Sequence, residues 1–178
     1  MNIYGENIIL RAIEFDDLEF LREMMNDPEI EEKVVGWSFP VSKAMQQKWF
    51  EGQGAGKENI RFIIESKEKQ RLGLATLHSI DWKNGVAEHG IKLAKNENRR
   101  KGIGTDTVKT VVKYAFNELN LHRLEATWLS CNKASEALFK KCGFSIEGRL
   151  REKIYKSGKR YDLICAGITQ DEYRRLAK

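Results

Sequence analysis

Residues 91–105 read IKLAKNENRRKGIGT, where apolar residues give way to three consecutive cations, Arg99, Arg100 and Lys101. Gly102-Ile103-Gly104 and Thr105 follow, and then a long amphipathic stretch. A strand, a basic glycine loop and a helix start, in that order, make an anion site. Glycines let a phosphate approach the backbone, the unpaired N–H groups of a first helical turn point at it, and the helix dipole and cations favour its charge. The arrangement suits a pyrophosphate. It is not a Walker loop, because GxxxxGK[ST] is absent, and the third glycine of a dinucleotide fingerprint is missing. A basic GxG ahead of a helix also serves as a plain solvated turn.

A second constellation lies further on, where a strand ends at Ser130-Cys131 and Asn132-Lys133-Ala134-Ser135 leads through Phe139 to Gly143-Phe144. With both segments in view, the chain resembles the GNAT superfamily of acyl-CoA-dependent N-acyltransferases. The R/Q-x-x-G-x-G motif of that family matches Arg99, Gly102 and Gly104, and its N-x-x-A/S and G-F pattern matches Asn132, Ser135 and Gly143-Phe144. Ile9-Leu10-Arg11-Ala12 and Leu121-His122-Arg123-Leu124 look like the RimJ and RimL branch of ribosomal-protein alanine acetyltransferases and the related polyamine acetyltransferases. The resemblance covers nearly the whole chain, most weakly residues 26–56. It implies acetyl-CoA as cosubstrate. Backbone groups of Lys92, Leu93 and Ala94 would pair with the pantetheine arm between two splayed parallel strands. Arg99, Arg100, Lys101, Gly102, Ile103, Gly104 and Thr105 would hold the pyrophosphate, and Asn132 and Phe139 would line the other side of the arm. Asn132 reads equally as a helix cap, and its amide has donors and an acceptor enough for both roles.

Attack of an amine on a thioester needs two oriented reactants, removal of a proton from the amine and stabilisation of an oxyanion. A carboxylate is the usual base. Glu88 is the first candidate: it lies on the strand leading into the glycine loop, and similar sequences often carry an acid there. Glu125 on the next strand is the reserve. Alternation puts Glu88, Gly90 and Lys92 on one side of the strand and His89, Ile91 and Leu93 on the other. The alternative for Glu88 is an ordinary surface or salt-bridged sheet residue. Many relatives carry a tyrosine where this chain has Phe139, and a phenyl ring cannot protonate the departing thiolate. CoA then leaves as a thiolate, or the proton comes from water, Ser130, Cys131 or Tyr155, with Cys131 read either as catalytic or as packing. Phe139 also leaves open a CoA-binding sensor with little turnover.

Other chemistries find little support. His78, His89 and His122 show no i, i+4 pairing and no HExxH, so no metal site is expected. There is no GxSxG elbow.

Around these residues the elements can be placed. Residues 6–11 read as a strand. A helix follows Asp16 or Asp17 with Leu18, Leu21 and Met25 on one face, and another starts at Ser42 with Met45 and Trp49 on its apolar side. Residues 27–40 read as irregular, with Trp37 and Phe39 as core or as a substrate lid. Residues 61–65, 72–80 and 86–93 form an antiparallel meander turning at Asn84-Gly85. Val108, Val111, Val112, Ala115, Phe116 and Leu119 recur as one wide helical face beginning near Gly102. A strand over 123–129, a helix from the Asn132 cap to Lys141, and a strand pair over 144–155 and 161–168 complete the chain. The expected fold is α/β: a central mixed, mostly antiparallel sheet with one splayed parallel pair, flanked by helices.

The chain has 178 residues, 41% hydrophobic and 32% charged, which suits one core and a single acetyltransferase domain over 1–178. No apolar run reaches the roughly 18 residues of a membrane span, and the opening MNIYGENIILR lacks a secretory leader pattern. Cys131, Cys142 and Cys165 make no disulfide framework, so a cytoplasmic location is expected. Lys and Arg exceed Asp and Glu by 31 to 26. With acids interspersed, that charge suits a small anionic ligand, and no membrane or direct nucleic-acid partner is expected. The resemblance implies a primary-amine acceptor and favours a protein N-terminus, as in ribosomal modification, with a polyamine, amino sugar or aminoglycoside as the alternative. Glu29, Glu31 and Glu32 offer a polycation an acidic run or simply form a solvated face. Dimers are common among similar proteins, which leaves a homodimer open.

Overall fold

Eight segments pair into one sheet, most of them with an apolar side turned to the core: β1 (Ile3–Tyr4), β2 (Ile8–Arg11), β3 (Ile60–Ser66), β4 (Arg71–Asp81), β5 (Val86–Leu93), β6 (Arg123–Leu129), β7 (Ser145–Lys156) and β8 (Lys159–Thr169). The computed structural model describes residues 1–36, 39–52, 57–94 and 102–176. The strand order is β1-β2-β3-β4-β5-β6-β8-β7, antiparallel throughout except between β5 and β6. A parallel neighbour needs a long crossover, and α4 (Ile103–Asn117) supplies it.

α4, α5 (Lys133–Lys141) and α6 (Gln170–Leu176) cover one face. Val108, Val111, Val112, Ala115, Phe116 and Phe139 join Ile8, Leu10, Leu77, Leu124, Ala126 and Ile168 there in the largest core cluster. α1 (Leu18–Asn26), α2 (Pro28–Glu31) and α3 (Lys43–Glu51) lie on the opposite face. Leu21 and Trp49 pack there on Ile63 of β3 and Leu74 of β4, Met24 and Ile30 pack on Ala94 just beyond β5, and Glu31 pairs with Lys156 of β7. Around Glu88, Thr127 and Cys165 the same face is only half-buried.

The helices differ in detail from the sequence reading. α1 buries Leu18, Leu21 and Met24, leaving Met25 to turn its sulfur toward Lys92 at 3.7 Å. α3 is capped by Ser42 as expected, but it buries Gln46 and leaves Met45 half exposed. Residues 27–40 are not wholly irregular, because the Asp27 side chain accepts from Glu29 N–H and Pro28 opens the short α2. Phe39 is exposed, and Trp37 lies outside the described residues. β1 and α6 were not anticipated.

Candidate active site

The parallel ladder between β5 and β6 is short. It pairs Val86 with Arg123, Ala87 with Leu124 and Glu88 with Glu125, and stops there. Both strands continue, β5 held by β4 as far as Leu93 and β6 held by β8 as far as Leu129. Each follows its outer neighbour, so a wedge opens beyond Glu88 and the edges facing it lack a strand partner. Ala94 donates its N–H to the Leu72 carbonyl at 2.9 Å. Alternation directs the backbone of Lys92 the same way, toward β4. Of the trio Lys92, Leu93 and Ala94, Leu93 is therefore the one that turns its backbone groups into the wedge.

α4 begins beside this gap. Gly102 is its N-cap at φ 81°, a left-handed conformation suited to glycine, and no side chain caps the first turn among the described residues. The amides of Ile103, Gly104 and Thr105 are thus available to an anion. Gly104 sits where three elements converge: a Cβ there would lie 3.4 Å from Leu138 on α5 and 3.6 Å from Leu93 on β5. The Asp106 carboxylate accepts from the N–H groups of Glu6 and Asn7 at 3.0 and 2.7 Å, tying this helix start to the first hairpin. Arg99, Arg100 and Lys101 lie outside the described residues. Unpaired strand edges suit the amide-bearing arm of an acyl-CoA, and the uncapped turn suits its pyrophosphate.

On the helix side of the wedge, Phe139 is buried with Trp128 stacked parallel at 5.6 Å and Phe144 and His89 edge-on at 5.0 and 5.8 Å. Burial pushes the His89 imidazole down to about 4, so it is neutral, and its Nδ1 lies 2.9 Å from the Thr76 carbonyl. Nε2 of His89 and Nε1 of Trp128 are buried here without a hydrogen-bond partner in the described residues.

The opposite side is polar. Glu88 projects there from the apex of the wedge, and its Oε1 accepts from the Thr127 hydroxyl at 2.6 Å. His78, directly across on β4, brings Nδ1 to 4.0 Å from Oε2 of Glu88. Arg123 binds Glu125 at 3.0 Å and reaches Glu147 on β7. Cys165 lies among them: its thiol is pushed up by burial and then by Glu88, Glu125 and Glu147. Sequence reasoning missed His78, Thr127 and Arg123, although Thr127 shares the face of Glu125 by alternation.

Residues of α2 and the last hairpin close the far end. Asn132 caps α5, accepting from Ser135 N–H at 3.0 Å, and donates to the Lys33 carbonyl at 2.9 Å. Lys156, buried, pairs with Glu31. The Lys92 ammonium is pushed below its ordinary range by burial and by Lys156. Cys131 is exposed, in a surface cavity of about 460 Å³ with Ser130, Lys133, Glu136, Ile146, Arg149 and Ile164. Ile164 belongs to the helix-covered face, so this cavity does not adjoin Glu88. Tyr155 is exposed beneath the Arg160 guanidinium.

A splayed parallel pair with a helix start at its mouth and a carboxylate at its apex defines an acyl-CoA-dependent N-acyltransferase. Residues 7–145 match the acetyltransferase (GNAT) domain family. The chain belongs to that family: it is a RimJ/RimL-type N-acetyltransferase with acetyl-CoA as cosubstrate. It is 34% identical over 95% of its length, and 93% of the relative's, to the SPbeta prophage-derived uncharacterized N-acetyltransferase YokL of Bacillus subtilis. It is 27% identical to the spermidine N(1)-acetyltransferase of Vibrio cholerae, over 95% of this chain and 96% of that one. The crystal structure of that spermidine N-acetyltransferase with CoA and spermine superposes with a TM-score of 0.89 at 26% identity, covering 96% of this chain and 99% of the other. A dodecameric structure of the same Vibrio enzyme superposes at 0.84 and 25% identity, covering 98% and 100%. No helix among the described residues is long and apolar enough to cross a membrane.

Proposed function

We propose that this chain transfers the acetyl group of acetyl-CoA directly to a primary amine of a small polycation, with Glu88 as the base. The observation that carries the reading is the placement of Glu88: held by Thr127 at the apex of the wedge, on a face it shares with Glu125 and Glu147. Three carboxylates against one guanidinium favour a cationic substrate. The likeness to a spermidine acetyltransferase solved with spermine supports the same class. Acetyl-CoA supplies an activated thioester. Glu88 takes the proton that keeps the amine from attacking, the first turn of α4 anchors the anionic end of the cosubstrate, and the unpaired backbone edges hold its arm in register. Phe139 offers no proton, and the low pKa of a thiol lets CoA depart as thiolate near neutrality.

A protein N-terminus is the second acceptor reading, favoured by the RimJ/RimL-type character of the chain. The site draws on one sheet and the helices on it, which supports a single acetyltransferase domain over residues 1–178, and three free thiols support a reducing, cytoplasmic setting. The dodecameric relative supports an assembly of copies.

Glu88→Gln tests the base. Turnover should fall about 100-fold or more, with acetyl-CoA affinity by titration calorimetry unchanged; wild-type turnover in the variant removes Glu88 from the mechanism.

A further inference from the structure

His78 belongs to β4, and its ring reaches across the sheet to the apex of the wedge. Nδ1 lies 4.0 Å from Oε2 of Glu88, the oxygen that Thr127 does not engage. A side chain at position 90 would obstruct this arrangement: a Cβ on Gly90 would come 2.8 Å from Thr76 Oγ1 and 3.6 Å from His78 Nε2. Glycine at that point of β5 leaves the imidazole its space over the strand. The side chains of His78 and Glu88 are 36% and 28% exposed, so the ring connects a half-buried carboxylate with bulk water. Imidazole is the side chain that exchanges protons near neutrality.

We propose that His78 is the proton exit of the site, a positioning residue that acts through Glu88. The inference rests on the reading of Glu88 as base. The amine arrives as ammonium. Its N–H bond breaks as an O–H bond forms on Glu88, freeing the nitrogen lone pair for attack. That O–H then breaks as Nδ1 of neutral His78 takes the proton, directly after a small ring rotation or through one water. The imidazolium passes a proton to solvent and Glu88 is again a carboxylate. Of the three ammonium protons one stays on the amide, one leaves by this route, and one is lost from the nitrogen as the tetrahedral intermediate collapses and is matched by the proton the departed CoA thiolate takes up from solvent. Ammonium and thioester thereby become amide, thiol and one free proton. Among the described residues, the other titratable or charged groups on this face around the pair are Arg61 on β3, Glu125 and Arg123 on β6, Glu147 on β7, Cys165 on β8 and, further along β5, Lys92. His89 points to the opposite face.

The test uses His78→Ala and His78→Gln, with acetyl-CoA and whichever of spermidine and an N-terminal alanine peptide is turned over. kcat should fall about 10- to 100-fold, with KM for acetyl-CoA unchanged and the pH dependence of kcat altered. Raising the imidazole buffer concentration at fixed pH and ionic strength should restore kcat in the variants and leave the wild type unaffected. A purely structural role would not produce buffer rescue. Wild-type turnover across the pH range, or a loss that buffer does not restore, overturns the assignment. Glu88→Gln separates the two claims: if it is inactive while His78→Ala is normal, only the exit role falls. If Glu88→Gln is normal, or neither amine is turned over, the base reading and this inference fall together.

Discussion

Asp17 shows how much the chain spends on placing single side chains away from the chemistry. Its carboxylate is 1% exposed, accepts from Arg11 at 2.7 and 2.9 Å and from Arg71 at 2.7 Å, and caps Glu14 N–H at 2.8 Å. Burial opposes its ionisation, but Arg11, the Glu14 amide and Arg71 outweigh burial and hold the carboxyl below its ordinary range. A depressed carboxylate contributes stability that is present above the unfolded-state pKa and lost as pH falls through the folded value. Asp17→Asn should therefore cost about 3 kcal/mol at pH 7, and urea unfolding should show the gap to wild type closing as pH drops below about 4. A gap that persists at low pH would mean the packing of Asp17, and not its charge, is what counts. Residues of this kind are only partly legible in a sequence. Glu88 could be singled out because it lies on the strand leading into the glycine loop, where similar sequences often carry an acid, whereas His78 could not. Counting back from the Asp81–Val86 pair places Ser79 opposite Glu88. A bulge there, with Ser79 at φ 53°, removes one residue from the register and substitutes His78.

At the scale of elements, the wedge results from competition between neighbours: β4 and β8 each keep their partner, and the parallel pair gives way. Strand alternation and the long helix after Gly102 were readable, as was the cap at Asn132, because each is a local signal. α2 was not, since four residues are too few for a periodicity to appear, although Asp27-Pro28 is a recognised start. The junction of α4, α5 and β5 at Gly104 gives the element-scale prediction. Gly104→Glu puts a bulky anion where Leu138 and Leu93 close on the helix start. Acetyl-CoA at 100 times its Kd should stabilise the wild type by about 2.7 kcal/mol, seen as a rise in Tm, and the variant should show none. A variant that melts like wild type alone and still responds to acetyl-CoA would detach the α4 start from cosubstrate binding.

Across the whole molecule, one face of the sheet is sealed by α4, α5 and α6, while the other is covered by α1, α2 and α3 over β3, β4 and the end of β5 and is only half-buried around Glu88. On the proposed reading, cosubstrate and acceptor meet at the wedge from different sides, the acceptor over the acidic surface of Glu88, Glu125 and Glu147. The mixed α/β character followed from the order of strand and helix signals. The insertion of β8 between β6 and β7 did not, because a hairpin can dock by either strand and only packing decides. The most direct test of direct transfer is a single-turnover experiment that follows thiol release and intact protein mass, first with acetyl-CoA alone and then on adding spermidine. We predict no thiol and no change in protein mass before the amine, then one CoA released for each acetylspermidine formed. An acetylated protein appearing before the amine is added would contradict the account.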